Sequence, residues 1–334
     1  MLIAVYFLWP SNSGNNNSKT SSKGSSTTTS TTLAPMLQSQ NLPIVLAVDV
    51  SREAVVYDPS LSTNSVILAG GLFASGVTTP NIATVNLSTG AEVLLGTLLQ
   101  PVHDTTAQIS GNSLVVIGGG ATSVLSGVQI GTLNGLGSNS ISFSQGPGLP
   151  QPRADLTSVE HNGLIYVLDG YDGTVMDPSI MTTVNGGTFN SVGNLVVPVR
   201  YGAAVATNNS IYVFGGINQS GQYVTSIQRY DFAKKTTTVV GNLPVGLAGS
   251  AIGILNNNIY IAGGAGTAGA SGSIYEFNPT TNQIYGAGTL TVPVAYAGYT
   301  VVNNGLYILG GENGSKLVNN IQELTPNPSL GHVS

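Results

Sequence analysis

The chain carries four arginines, and three of them, Arg52, Arg153 and Arg200, recur at a similar interval, with His103 between the first two. A guanidinium group presents a planar fork of donors that suits a carboxylate. Such side chains could contact an anionic group. Glu53, Asp104 and Asp155 follow these cations closely and could neutralise them, each arginine then holding only its own loop. Asp104, Asp155 and Glu312 are also the carboxylates able to act as a general base beside such a site.

Other chemistries are thinner. His103, His161 and His332 share no metal-ligand spacing, so no metal is expected. Asp169, Asp172 and Asp177 lie in a Gly-rich turn whose oxygens would suit Ca²⁺, but the ligand order of an EF-hand is missing. Ordinary turn aspartates are the expected reading. The absence of cysteine removes disulfides, thiolate metal sites and a Cys nucleophile. No cofactor is expected.

Composition narrows the class. Of 334 residues only 7% are charged, against about 25% in an ordinary soluble domain. The net charge is −5, with nine basic residues, which argues against nucleic acid as a partner. Hydrophobic residues make up 41%, enough for a sizeable core. Residues 1–10 are apolar but too short to cross a bilayer core of about 30 Å as a helix. They lack the basic start of a signal peptide, and are read as a remnant of a membrane anchor or signal, or as a sticky terminus. Residues 11–35, almost all Ser, Thr, Asn, Gly and Lys up to 32, have no apolar face to bury and are expected to be a disordered stalk.

The remainder, 36–334, is repetitive. An apolar strand ending in a Gly pair, or once in Asp-Gly, recurs with its last glycine at 71, 119, 170, 216, 264 and 311. The steps are 48, 51, 46, 48 and 47 residues. Tight turns such as Asn162-Gly163 and Asn304-Gly305 precede these strands and suit φ > 0. A small or apolar run before each turn completes an inner hairpin. A third strand such as Ser226–Tyr230, a fourth such as Thr236–Val240, and a Leu-Pro or Val-Pro corner close the unit. Four strands in one such unit make one propeller blade. The sixth unit lacks a fourth strand of its own. Residues 36–43 have the pattern of one, with a Leu42-Pro43 corner, and are expected to close the last blade.

These features resemble the kelch repeat. The likeness rests on the Gly pairs, the Tyr before them in repeats three to six, the polar turn and the Pro corner leading to Arg153 and Arg200. The Trp usual on the fourth kelch strand is missing, since the only Trp is Trp9. The resemblance implies an all-β, six-bladed propeller of the galactose oxidase/kelch superfamily. It also implies that the loops after the Pro corners surround one mouth of the central channel. Arg52, His103, Arg153, Arg200, Leu247 and Ala295 then occupy that phase, with Tyr201, Tyr296 and Asn218 as neighbours. The implied mouth is lopsided and basic, suited to an anionic ligand.

On this reading the chain is a non-enzymatic binding module, extracellular or at the cell surface, contacting a protein or glycan through its loop face. A membrane tether through the N-terminus fits it. Sequons beginning at Asn16, Asn86, Asn208, Asn218 and Asn313 fit an outside location. The first alternative is a cofactor-free sugar epimerase or mutarotase acting on an acidic sugar. Pairing of all its candidate base carboxylates with arginines would argue against it. A copper radical oxidase is excluded by the missing cysteine, and no sialidase box is present. The second alternative is a structural subunit of a surface assembly.

Overall fold

A computed structural model describes residues 36–60, 62–133 and 140–327. The expected anchor, stalk, Asn16 sequon and His332 lie outside the described residues. The rest is all-β: six four-stranded antiparallel sheets and three small two-stranded ones. Each sheet is one blade. The innermost strands are Ala54–Val56, Thr106–Ser110, Thr157–His161, Ala203–Ala206, Ala251–Leu255 and Gly298–Val302. Each packs against the innermost strands of both neighbouring blades, and the sixth returns to the first. This is a closed six-bladed propeller.

Closure is made by the N-terminal strand. Leu37–Val45 pairs antiparallel with Asn320–Pro326, Leu37 opposite Pro326 and Gln40 opposite Glu323. The sixth blade thereby joins strands from both ends of the described chain, and its third strand has no free edge. The sequence placed the corner too early. Pro43 lies within the closing strand, where the register shifts between Asn41 and Val45, as a residue without an N–H requires. The true first corner is Leu46–Val50, with Asp49 in the proline's place. Leu46 is buried like its counterparts Leu98, Leu149, Leu195, Leu243 and Leu290.

There is no single core. The buried side chains fall into six clusters, and each joins one blade to the next. The cluster between blades four and five shows how the missing Trp is replaced: Tyr212, Phe214 and Phe277 stack and tilt against one another at 5.3 to 6.4 Å. Truncating one such aromatic to alanine costs about 3–5 kcal/mol.

The Gly pairs act at the same interfaces. Gly215 has φ 61°, and a Cβ there would be driven into the carbonyl oxygen of Leu247 on the next blade. Gly216 then donates its N–H to that same oxygen at 2.7 Å. The second glycine makes this bond in all six blades. Only in blade three is the first glycine replaced, by Asp169.

A further device went unseen in the sequence. Gln129, Gln228 and Gln322 lie at one position of the third strand in blades two, four and six. Each side-chain amide clasps both the N–H and the C=O of one corner residue: Gln100, Val197 and Val292, at 2.8 to 3.0 Å. Blades one, three and five carry Ala83, Met181 and Tyr275 there. The ring thus has a two-blade alternation laid over its six-fold repeat.

Candidate binding site at the channel mouth

Six residues, one leading into each innermost strand, close the mouth: Arg52, Asp104, Asp155, Tyr201, Gly249 and Tyr296. All have positive φ, between 52° and 60°. Each donates its backbone N–H to the carbonyl of the equivalent residue on the preceding blade, at 2.8 to 3.0 Å, and Arg52 completes the circle on Tyr296. The left-handed conformation is uncommon for bulky side chains. Here six interblade hydrogen bonds over-determine it, and residues held this way cluster at functional sites. Below the ring lies a cavity of about 640 Å³, within the usual size of a ligand pocket.

The ring divides by chemistry. Blades one to three contribute Arg52, Asp104 and Asp155; blades four to six contribute Tyr201, Gly249 and Tyr296. Deeper in, Gln108 and Ser158 line the first arc and bond to each other at 2.9 and 3.1 Å. Ala204, Ile252 and Ile254 line the second.

The charges are interlocked. Arg52 donates from Nε to Glu312 at 2.7 Å and from Nη1 to Asp104 at 3.2 Å and the Tyr201 hydroxyl at 3.1 Å. Its guanidinium lies 5.1 Å from the ring centre of Tyr296 and 5.9 Å from that of Tyr201. Burial works against its charge, but Asp104, Tyr201 and Glu312 overcome this and hold it above its ordinary value. Arg200 donates to Asp155 at 3.1 Å and lies over Tyr171 and Tyr201. Glu312 reaches the mouth because its backbone pairs with Ala295 in the corner before Tyr296.

Burial raises both central carboxyls. Asp155 is pushed up to about 6 by desolvation and by Asp104 beside it, against the pull of Tyr201, Arg200 and Arg52. Asp104 is raised for the same first reason, although Arg52 opposes it. Burial and the two aspartates hold the Tyr201 phenol protonated. His103 bonds Thr78 through Nδ1 at 2.9 Å, and burial and Arg52 lower its proton affinity. Burial likewise raises the Tyr296 phenol, with Tyr223 adding to it.

Of the residues singled out in the sequence, Arg52, His103, Arg200, Tyr201 and Tyr296 gather at the mouth. Asn218 instead organises its own hairpin, accepting from Ser220 and Gln222. Arg153 is a correction. It lies two residues before its ring residue, Asp155, at the phase of Val50, Val102, Val199, Leu247 and Val294, all buried. Its side chain is wholly buried and bonds Asp177, the Ser179 hydroxyl at 2.6 Å and the Ser179 carbonyl at 3.1 Å. Burial lowers its proton affinity, with Asp177 and Asp169 acting in opposition. The three cations therefore occupy three phases. The mouth is not basic: two guanidinium groups face three carboxyl groups. Asp169 and Asp172 are also engaged, Asp169 with the Thr157 and Gly202 amides and Asp172 with those of Thr174 and Val175. Among the described residues no group of three or more such side chains is arranged to hold a metal.

The sequence offers Asp104 and Asp155 as neutralisers or as general bases, and gives no sign of their place on the ring or of Gly249's. The usable signal is position, two residues before the innermost strand, since residue type there varies from Gly to Arg.

Ring, blades and glycine interfaces define a six-bladed kelch-type β-propeller. Residues 181–329 match the family model described as the KLHDC2/KLHL20/DRC7 Kelch-repeats domain. The fold is similar to that in the solved structure of YjhT, with a TM-score of 0.71 and 18% identity, over 84% of this chain and 95% of that one. No curated protein matches the sequence.

Proposed function

We propose that the chain is a non-enzymatic binding module, displayed outside the cell, that takes a protein or glycan at the channel mouth. The kelch propeller fold supports a binding module. One observation carries the reading against catalysis: the three carboxyl groups that the sequence offers as bases, Asp104, Asp155 and Glu312, are each held by an arginine. Asp104 and Glu312 share Arg52, and Asp155 holds Arg200. A base must be free to take the substrate's proton. Display outside the cell rests on the apolar residues 1–10 and the polar tract 11–35.

The test is retention of ligands from glycan and peptide arrays by the full chain, beside Arg200→Ala and Tyr296→Gly. Gly249 shows that a glycine can occupy a ring position, so Tyr296→Gly keeps the ring backbone. Binding that both variants lose at unchanged melting temperature supports the reading; binding indifferent to both overturns it. The cofactor-free epimerase is the second reading, favoured by the raised Asp155 at the cavity. Inversion of an acidic sugar followed by NMR would establish it in place of the first.

A further inference from the structure

We propose that the mouth takes a neutral, polyhydroxylated ligand, a sugar ring without a carboxylate. This rests on the binding reading above and replaces the anionic ligand that the arginines suggest in the sequence. The first reason is the division of the ring. Arg52, Asp104 and Asp155 make a polar arc, and Tyr201 and Tyr296 make an aromatic one. The two tyrosines meet edge to face at 4.7 Å across Gly249, where a Cβ would strike the Tyr296 ring. A sugar ring has matching parts, hydroxyls at its edge and C–H groups on its face.

The second reason is the state of the cations. Arg52 already has three partners, and Arg200 holds Asp155. An incoming anion would sit beside Asp104, Asp155 and Glu312, which already compensate both charges. The third reason is what the site lacks. Asp104 lines the cavity with its side chain 7% exposed, yet its Oδ1 has no hydrogen-bond partner. Glu53 also lines the cavity, and its buried Oε2 is equally unpartnered. Both oxygens lack a partner, and a buried polar atom left unpaired is costly. Hydroxyls bring donors, and a carboxylate brings none.

The experiment titrates the full chain at neutral pH with glucose, galactose and N-acetylglucosamine, and in parallel with glucuronate and galacturonate, by saturation-transfer NMR and calorimetry. At least one neutral sugar is expected to bind tenfold or more tightly than the uronates, and Tyr296→Gly or Asp104→Asn to weaken it at least tenfold. Uronates binding as tightly through the same residues would overturn the neutral ligand and leave the binding module standing. Sugar binding that neither variant alters would overturn the site. Absence of binding by either sugar series would overturn the inference, and mouth-dependent retention on the peptide array would then still uphold the broader reading.

Discussion

Arg153 and the mouth arginines sit in equivalent loops, yet their surroundings have little in common. Arg52 stands on the ring, Arg200 one residue before it and Arg153 two before it. Arg52 and Arg200 are 26% and 34% exposed and bridge side chains from different blades. Arg153 is sealed at 0% exposure against Asp177 and Ser179 of its own blade. The blade-three corner thus carries Arg153 and Asp169 where the other blades have a valine or leucine and a glycine. The difference teaches that phase, not residue type, decides whether a guanidinium faces the channel mouth or holds a joint. A shift of one or two positions turns the side chain from the channel into the seam.

The contrast is most sharply broken at the joint. Arg153→Met leaves the Asp177 and Asp169 carboxyls without their cation and should cost about 3–5 kcal/mol. The midpoint of urea unfolding checks this. Adding Asp177→Asn to that variant should recover part of the loss, since the orphaned charge is then gone.

Glu53 sharpens the comparison through pH. Burial raises its carboxyl to about 7, although the Gly298 amide at 3.1 Å opposes the shift. The folded state therefore binds this proton more tightly than the unfolded one. Its stabilisation is present in full below about pH 4.5 and is lost as pH rises through about 7, on the order of 3 kcal/mol. Asp104 and Asp155 shift in the same direction. Unfolding midpoints between pH 4 and 8 should fall, and Glu53→Gln should flatten the curve.

Asp169→Gly restores the glycine of the other blades but strips the Thr157 and Gly202 amides of their acceptor. It should cost about 1–3 kcal/mol in the same unfolding measurement. Arg200→Ala lies at the other end. Its partly exposed pair with Asp155 should be worth no more than about 1 kcal/mol, while ligand retention at the mouth is lost. A large loss of stability in Arg200→Ala would erase the distinction between mouth and joint.

Much of the fold was legible. The Gly pairs, corner leucines and tight turns repeat because each blade meets the same steric demands at its neighbours. The closing strand was legible because the sixth repeat visibly ran out of strands. Its end was not, since Leu42-Pro43 imitates a corner while Leu46 makes the real one. The site was half legible. Arg52, Arg200 and the two tyrosines were found, but the phase was read from the Pro corner, and Arg153 was carried along with it. Asp104, Asp155 and Gly249 share a conformation and no chemistry, so nothing in their types links them. The alternating glutamines were equally silent, because a clasp on backbone groups is specific to no neighbouring side chain.

The sequence by itself determined the repeat, the number of blades, the all-β class and the means of closure. These follow from burial and steric rules that act within one unit and are written again in the next. Only the tertiary structure decided which charges meet. Arg52, Asp104, Tyr201 and Glu312 are far apart in the chain and come within hydrogen-bonding reach only when the ring closes. Closure desolvates those groups together, and so turns what reads in the sequence as a basic mouth into a neutralised one with unpaired acceptors.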